Sequence, residues 1–205
     1  MTDDILTYLE ELIPNPVCEL NYNKDYELLI AVMLSAQTTD KRVNMVTSEL
    51  FSKYDSAKKL AEADLKDIEN IIKNLGNYTK KSKAVIEISK KVAEWGNVPN
   101  DRNRLESLPM VGRKTVSVVL SELFNEPNIA VDTHVERVSK RLGLAKSNSD
   151  VLEVEKYLKK KIPIQLWCLS HLRLVHFGRY YCTAKNPKCE FSKLVNICKY
   201  KKDKN

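Results

Sequence analysis

Two residue types in one short stretch give this chain chemical potential: a lysine at the head of a helix-like run and a carboxylate beyond the next loop. Residues 108–132 read LPMVGRKTVSVVLSELFNEPNIAVD, and THVERVSKRLG follows at once. Leu108-Pro109-Met110-Val111-Gly112 is a turn punctuated by proline and glycine, and the run Arg113–Phe124 has helical spacing. Lys114 stands at the start of that run, and Asp132 follows a loop containing Pro127. An amine near a helix start with a carboxylate returning towards it has the parts of a covalent amine catalyst acting on a sugar carbon. In isolation each residue has a plainer reading: a solvated lysine, and an N-capping aspartate before Thr133-His134.

The turn itself suits an anion. A helix N-terminus carries backbone N–H groups with no intrahelical partner and the positive end of the helix dipole. Val111, Gly112, Arg113 and Lys114 are therefore expected to offer N–H groups to a phosphate. Gly112 permits positive φ or the close approach of another backbone. Contacts to phosphate position a protein on nucleic acid without reading its sequence.

A second group is formed by Cys182, Cys189 and Cys198, spaced Cys-x6-Cys-x8-Cys. Disulfides are not expected in a cytoplasmic protein, so clustered thiols suggest a metal. Cys168 is expected to be a buried helix residue, and Cys18 is remote. The same end of the chain is basic, with eight Lys/Arg against two Asp/Glu from Gly178 to Asn205. The first sixteen residues hold four acids and no base. A net charge of +7 so concentrated is an electrostatic footprint for phosphate.

The elements that must position these groups are helical. Apolar residues recur at helical spacing through Ile5, Leu6, Leu9 and Leu12, Tyr26–Leu34, and Val43, Val46, Leu50 and Phe51. Thr38-Thr39-Asp40 offers N-cap candidates for the last of these. Further stripes run through Ile68, Ile71, Ile72 and Leu75, then Val85, Ile88 and Val92, then Thr133–Leu142, Val151–Lys160 and Leu166–Phe177. The spacing predicts about ten short helices and an all-α fold. The expected division is a helical domain over 18–126, carrying the hairpin, and a second over 1–17 plus 127–205, carrying the cysteines. The 205 residues, 43% hydrophobic and 30% charged, describe a soluble chain with no span of roughly 20 apolar residues. An acidic N-terminus without a secretory signal predicts a cytoplasmic protein. No carboxylates cluster with the spacing for two hard cations, which argues against a metal-dependent nuclease.

LPMVGRKT…VDTHVERVSKRLG resembles the helix-hairpin-helix, Gly/Pro-rich loop and aspartate of the endonuclease III family of DNA glycosylases. The likeness runs from LSAQTTD at residues 34–40 to the terminal cysteines. It implies an all-α fold of two helical domains with the DNA site in the cleft between them. It implies that Lys114 is the Schiff-base lysine and Asp132 the catalytic aspartate. The activity implied is removal of oxidised pyrimidines and nicking of abasic sites by β-elimination, on double-stranded DNA, by a monomer without a membrane partner. DNA chemistry on a stacked base requires flipping it out. Gln37 matches the residue inserted into the vacated stack, and Asn77 stands where the family commonly carries a leucine wedge. Met110 replaces the usual hairpin glycine, so an adjusted turn is expected there. His134 reads as a packing or hydrogen-bonding residue in preference to a catalytic base.

In the family the cysteine segment is Cys-x6-Cys-x2-Cys-x5-Cys and ligates a 4Fe-4S cluster. Here Cys182, Cys189 and Cys198 match, and Ser192 occupies the third ligand position. A serine hydroxyl is a harder, less acidic ligand than a thiolate. Three outcomes follow: a cluster with an alkoxide or open corner, a three-iron cluster, or a loop without metal. Lys185 and Lys188 match the family's basic loop on the DNA backbone, which places the chain's work at the nucleoid. Two other functions stay open: a monofunctional mismatch glycosylase of the same superfamily, which would lack a nucleophilic Lys114, and a non-catalytic helix-hairpin-helix module.

Overall fold

A computed structural model describes residues 1–189 and 193–202. Among the described residues the chain is helical, with twelve α-helices and one 3-10 turn and no strand. The fold class is all-α, as the spacing predicts. The three helices that apolar spacing did not reveal are short: α4 (Ala57–Ala61), α7 (Arg102–Glu106) and α12 (Lys199–Lys202). Two of them are marked by caps instead of by stripes, since Ser56 accepts from the Lys59 N–H and Asp101 from the Arg104 N–H.

Cys18–Phe124 forms one compact unit. At its centre is α2 (Asp25–Leu34), buried at every position from Tyr26 onward. A helix apolar all round must be enclosed by neighbours, and α3 (Asp40–Lys53), α6 (Tyr78–Trp95) and α8 (Arg113–Phe124) pack against it. Glu27, buried in its first turn, accepts from the Asn23 and Lys24 N–H groups at 2.7 and 3.3 Å. The apolar stripe Ile68, Ile71 and Ile72 of α5 (Leu65–Ile72) meets α6, which contributes Val85, Ile88 and Val92. Gly96, at φ 83°, ends α6 with the left-handed cap that glycine adopts most readily.

Met1–Val17 joins Asn125–Asn205 in the other unit. Here α9 (Thr133–Arg141) packs against α10 (Val151–Lys161), α11 (Trp167–Tyr180) and α12, and α1 (Thr2–Leu12) packs against α11. The link across the sequence is physical. Arg173 of α11, 5% exposed, donates to Ile13 O at 3.2 Å, Pro14 O at 3.3 Å and Glu10 Oε1 at 2.9 Å. Tyr8 meets Phe177 edge-on with ring centroids 6.4 Å apart. The cap on α10 is reciprocal: Asp150 accepts from Glu153 N at 2.8 Å and Glu153 from Asp150 N at 3.0 Å.

Candidate active site and nucleic-acid surface

The hairpin is α7, the turn 107–112 and α8. Leu108 and Val111 are buried pegs that fix the turn, and Val111 N donates to Leu108 O at 3.2 Å. That bond closes the turn ahead of α8. Met110 adopts φ 59°, so the turn keeps the left-handed step without glycine and is not adjusted around it. The cost of that step for a residue with a Cβ is roughly 1–2 kcal/mol. Gly112 is exposed with φ outside the left-handed region, and a Cβ there would meet nothing within 4 Å. Its freedom is therefore not demanded by the packing around it. α8 runs over the predicted Arg113–Phe124, with Val116 N bonded to Gly112 O at 3.1 Å. Arg113 and Lys114 occupy its first turn and are exposed.

Asp132 sits at the N-cap of α9. Its Oδ1 accepts from the N–H groups of His134 at 2.9 Å and Val135 at 2.8 Å. The plainer reading of this residue is thus realised, and the two backbone bonds hold the half-buried carboxylate in one orientation. Behind it, α11 approaches closely at Gly178, where a Cβ would lie 2.9 Å from His134 Cβ. Arg137 Nη2 bonds Gly178 O at 2.7 Å and lies 3.2 Å from His134 Nδ1. Because the guanidinium donates, Nδ1 must accept, which fits a neutral ring protonated on Nε2. Burial lowers the His134 pKa; the Asp132 charge opposes this and Arg137 adds to it. His134 thus packs against α11 at Gly178 and bonds Arg137.

Gln37 and Asn77 are both exposed and both left-handed, at φ 57° and 58°. Asn77 stands at the N-cap of α6, where its carbonyl accepts from Lys80 N and Lys81 N at 3.0 Å each. At the start of α3, Thr39 is the N-cap residue but forms no side-chain cap bond. The nearby Thr38 hydroxyl instead accepts from Lys81 Nζ at 3.3 Å. Lys81 escaped the sequence reading because it lies in the run Lys80-Lys81-Ser82-Lys83, which has the composition of a solvated face.

Cys182, Cys189 and Cys198 line one mainly apolar pocket with Leu142, Phe177 and Leu194. Three soft thiols on one pocket are a donor set suited to iron–sulfur ligation. Among the described residues no three His, Cys, Asp or Glu side chains converge closely enough to hold a single metal ion. Ser192 lies outside the described residues. Cys168 is half-buried in α11, not fully buried as expected, with Sγ 3.4 Å from Glu126 O.

The segment is anchored by two arginines that the sequence reading missed. Arg137 Nε donates to Cys182 O at 3.2 Å. Arg141 Nη1 donates to Cys182 Sγ at 3.4 Å and to Thr183 O at 2.7 Å, and its guanidinium lies 4.0 Å from the Tyr200 ring centroid. Burial pushes the Cys182 thiol up, and the Arg141 bond opposes it. Their spacing, one helical turn apart on α9, was the available signal. Lys185 and Lys188 are exposed on the loop between the first two cysteines.

A hairpin feeding a lysine-bearing helix, in an all-α chain, defines a class. Residues 30–164 match the model of the HhH-GPD superfamily of base excision DNA repair proteins. The chain is 45% identical over 203 residues to Endonuclease III of Bacillus subtilis strain 168, covering 97% of this chain and 93% of that protein. A non-covalent endonuclease III–DNA complex contains a chain 42% identical to it, with a TM-score of 0.94 over 100% of this chain and 98% of the other. A trapped endonuclease III–DNA covalent intermediate gives 42% identity and a TM-score of 0.92 at the same coverage. The protein belongs to the endonuclease III family.

Proposed function

We propose that this protein is a base-excision-repair DNA glycosylase with AP lyase activity, acting on oxidised pyrimidines and abasic sites in double-stranded DNA. The observation that carries the reading is Lys114 in the first turn of α8, directly after the hairpin, in a chain 42% identical to one trapped covalently on DNA.

In this reading Lys114 Nζ, deprotonated, attacks C1′ of the damaged nucleotide. The N–C1′ bond forms, and the base departs with the electron pair of its glycosidic bond. Asp132 stabilises positive charge on the sugar and assists removal of the proton from the lysine amine. The nitrogen lone pair then opens the sugar ring to an imine. Loss of a proton from C2′ expels the 3′ phosphate, and water releases the enzyme. Gly112 and Arg113 support a backbone phosphate at the same helix start. Gln37 and Asn77 fill the gap left by the flipped nucleotide. Asn77 supplies hydrogen bonds where a leucine would supply apolar stacking.

Cys182, Cys189 and Cys198 would hold an iron–sulfur cluster. When bound, it would act as a cross-link shaping the loop that carries Lys185 and Lys188. This work on DNA belongs to the nucleoid of the cytoplasm. No helix among the described residues is long and apolar enough to cross a membrane.

Borohydride trapping on an abasic-site duplex tests the assignment, with wild type set against Lys114→Gln. A covalent adduct and a nicked strand from wild type alone are expected. A folded, DNA-binding wild type that forms no adduct would instead indicate a monofunctional glycosylase or a binding module.

A further inference from the structure

Lys81 is 1% exposed in the core of the Cys18–Phe124 unit. Its ammonium donates to Leu34 O at 2.9 Å, Ala36 O at 2.9 Å and Thr38 Oγ1 at 3.3 Å. All three partners are neutral oxygens. Three donors meeting three acceptors match the protonated amine, since a neutral amine has two hydrogens and would set its lone pair against an oxygen. A buried ammonium with no acidic partner among the described residues is costly, and an apolar side chain would fill the same space at less cost. Its presence calls for an explanation in what it holds.

What it holds is the end of α2 and the turn beyond it. Carbonyls at a helix C-terminus lack intrahelical partners and carry the negative end of the dipole, so a cation is stabilised there. The Ala36 and Thr38 bonds flank Gln37, the exposed residue at φ 57°. Through its backbone the same lysine is bound to the second loop: Lys81 N donates to Asn77 O at 3.0 Å, and Asn77 is at φ 58°.

We propose that Lys81 is a positioning residue that fastens the Gln37 and Asn77 turns into one preformed element for entry into the DNA stack. The proposal rests on the reading of those two residues as gap fillers. A preformed element does not have to be ordered on binding, and ordering one rotamer-rich side chain costs enough to weaken binding roughly two- to tenfold.

The test uses the full chain carrying Lys81→Met, Lys81→Arg or Gln37→Ala. Dissociation constants are measured on a duplex with a tetrahydrofuran abasic analogue and on the undamaged duplex. 2-Aminopurine opposite the analogue reports insertion by fluorescence, and thermal unfolding reports folding. At a temperature where it is folded, Lys81→Met is expected to lose about tenfold of the preference for the analogue and most of the fluorescence change. Binding to undamaged duplex should be unaltered, and Lys81→Arg should restore part of the preference. On abasic substrate KM should rise while kcat stays within about twofold, a split that a general loss of folded enzyme does not produce. Unchanged preference in folded Lys81→Met, with a loss in Gln37→Ala, overturns the role of Lys81 and leaves the Gln37 reading standing. Unchanged preference in Gln37→Ala removes that reading and this proposal with it. If Lys81→Met does not fold, Thr38→Val replaces it, deleting one acceptor at constant shape. A several-fold loss then supports the proposal, and no loss overturns it.

Discussion

Asp132 Oδ1 accepts the backbone N–H of Val135 at 2.8 Å, so the proposed catalytic carboxylate is also the cap of its helix. The two roles separate by substitution. Asn is about as good an N-cap as Asp, whereas Ala costs about 1 kcal/mol. Asp132→Asn is therefore expected to unfold near the wild-type temperature yet lose between about 10²- and 10⁴-fold in glycosylase rate. Asp132→Ala should lose both stability and rate. Near-wild-type turnover by Asp132→Asn would reduce the residue to a cap.

Lys185 and Lys188 are exposed on the loop between Cys182 and Cys189. Each phosphate neutralised contributes roughly −0.9 to the slope of log affinity against log salt. Changing both to Ala should weaken duplex binding and flatten that slope by up to about 2. A titration of binding against salt checks this, and an unaltered slope sinks the assignment.

The architecture was largely legible because its signals are local. The stripe Ile68, Ile71 and Ile72 and the run Arg113–Phe124 bury the faces that their spacing indicates. Helices α4 and α7, of five residues each, bury one residue apiece, Leu60 and Leu105, and one buried residue cannot make a stripe. The hairpin was legible from Pro109 and Gly112, but not the conformation of Met110. A left-handed step held by buried neighbours such as Leu108 and Val111 is a tertiary outcome. Lys81 and Arg141 were invisible for the same reason. Their partners lie more than 40 positions away, and nothing in a lysine or arginine announces a distant carbonyl.

Gly178 is where α11 approaches α9, with room for no side chain: a Cβ would stand 2.9 Å from His134 Cβ and 3.2 Å from Val138 Cγ2. In an open helix Gly→Ala gains about 1 kcal/mol. Here overpacking should reverse the sign, and Gly178→Ala is expected to cost about 1–3 kcal/mol in denaturant unfolding. A stabilised variant would show that the contact relaxes freely.

Burial lowers the His134 pKa below 6.5. As pH falls through 6.5 the unfolded chain takes up a proton that the folded ring resists, so stability is lost on acidification towards the lower folded value. His134→Gln, with no proton to gain, should show a shallower fall of unfolding temperature from about pH 7 to pH 5. Equal slopes in the two proteins would assign the acid sensitivity elsewhere.

With three thiols matching the cluster positions, anaerobically purified protein is expected to contain iron and acid-labile sulfide, with one labile corner. Brief exposure to air should yield the paramagnetic three-iron form, and Ser192→Cys should suppress it and bring iron to about four per chain. Absence of iron and sulfide from both proteins would leave the loop metal-free.

Gln37, Asn77 and Met110 each hold a backbone step that glycine makes freely. Glycine at any of them would relieve roughly 1 kcal/mol of local strain, partly offset by greater freedom of the unfolded chain. Selection for heat resistance alone would therefore drift towards glycine at these three exposed turns and, at Gln37 and Asn77, strip away the side chains proposed to meet a lesion. Laboratory evolution of this enzyme would need a repair readout in every round, because thermal endurance and damage recognition pull the same few residues in opposite directions.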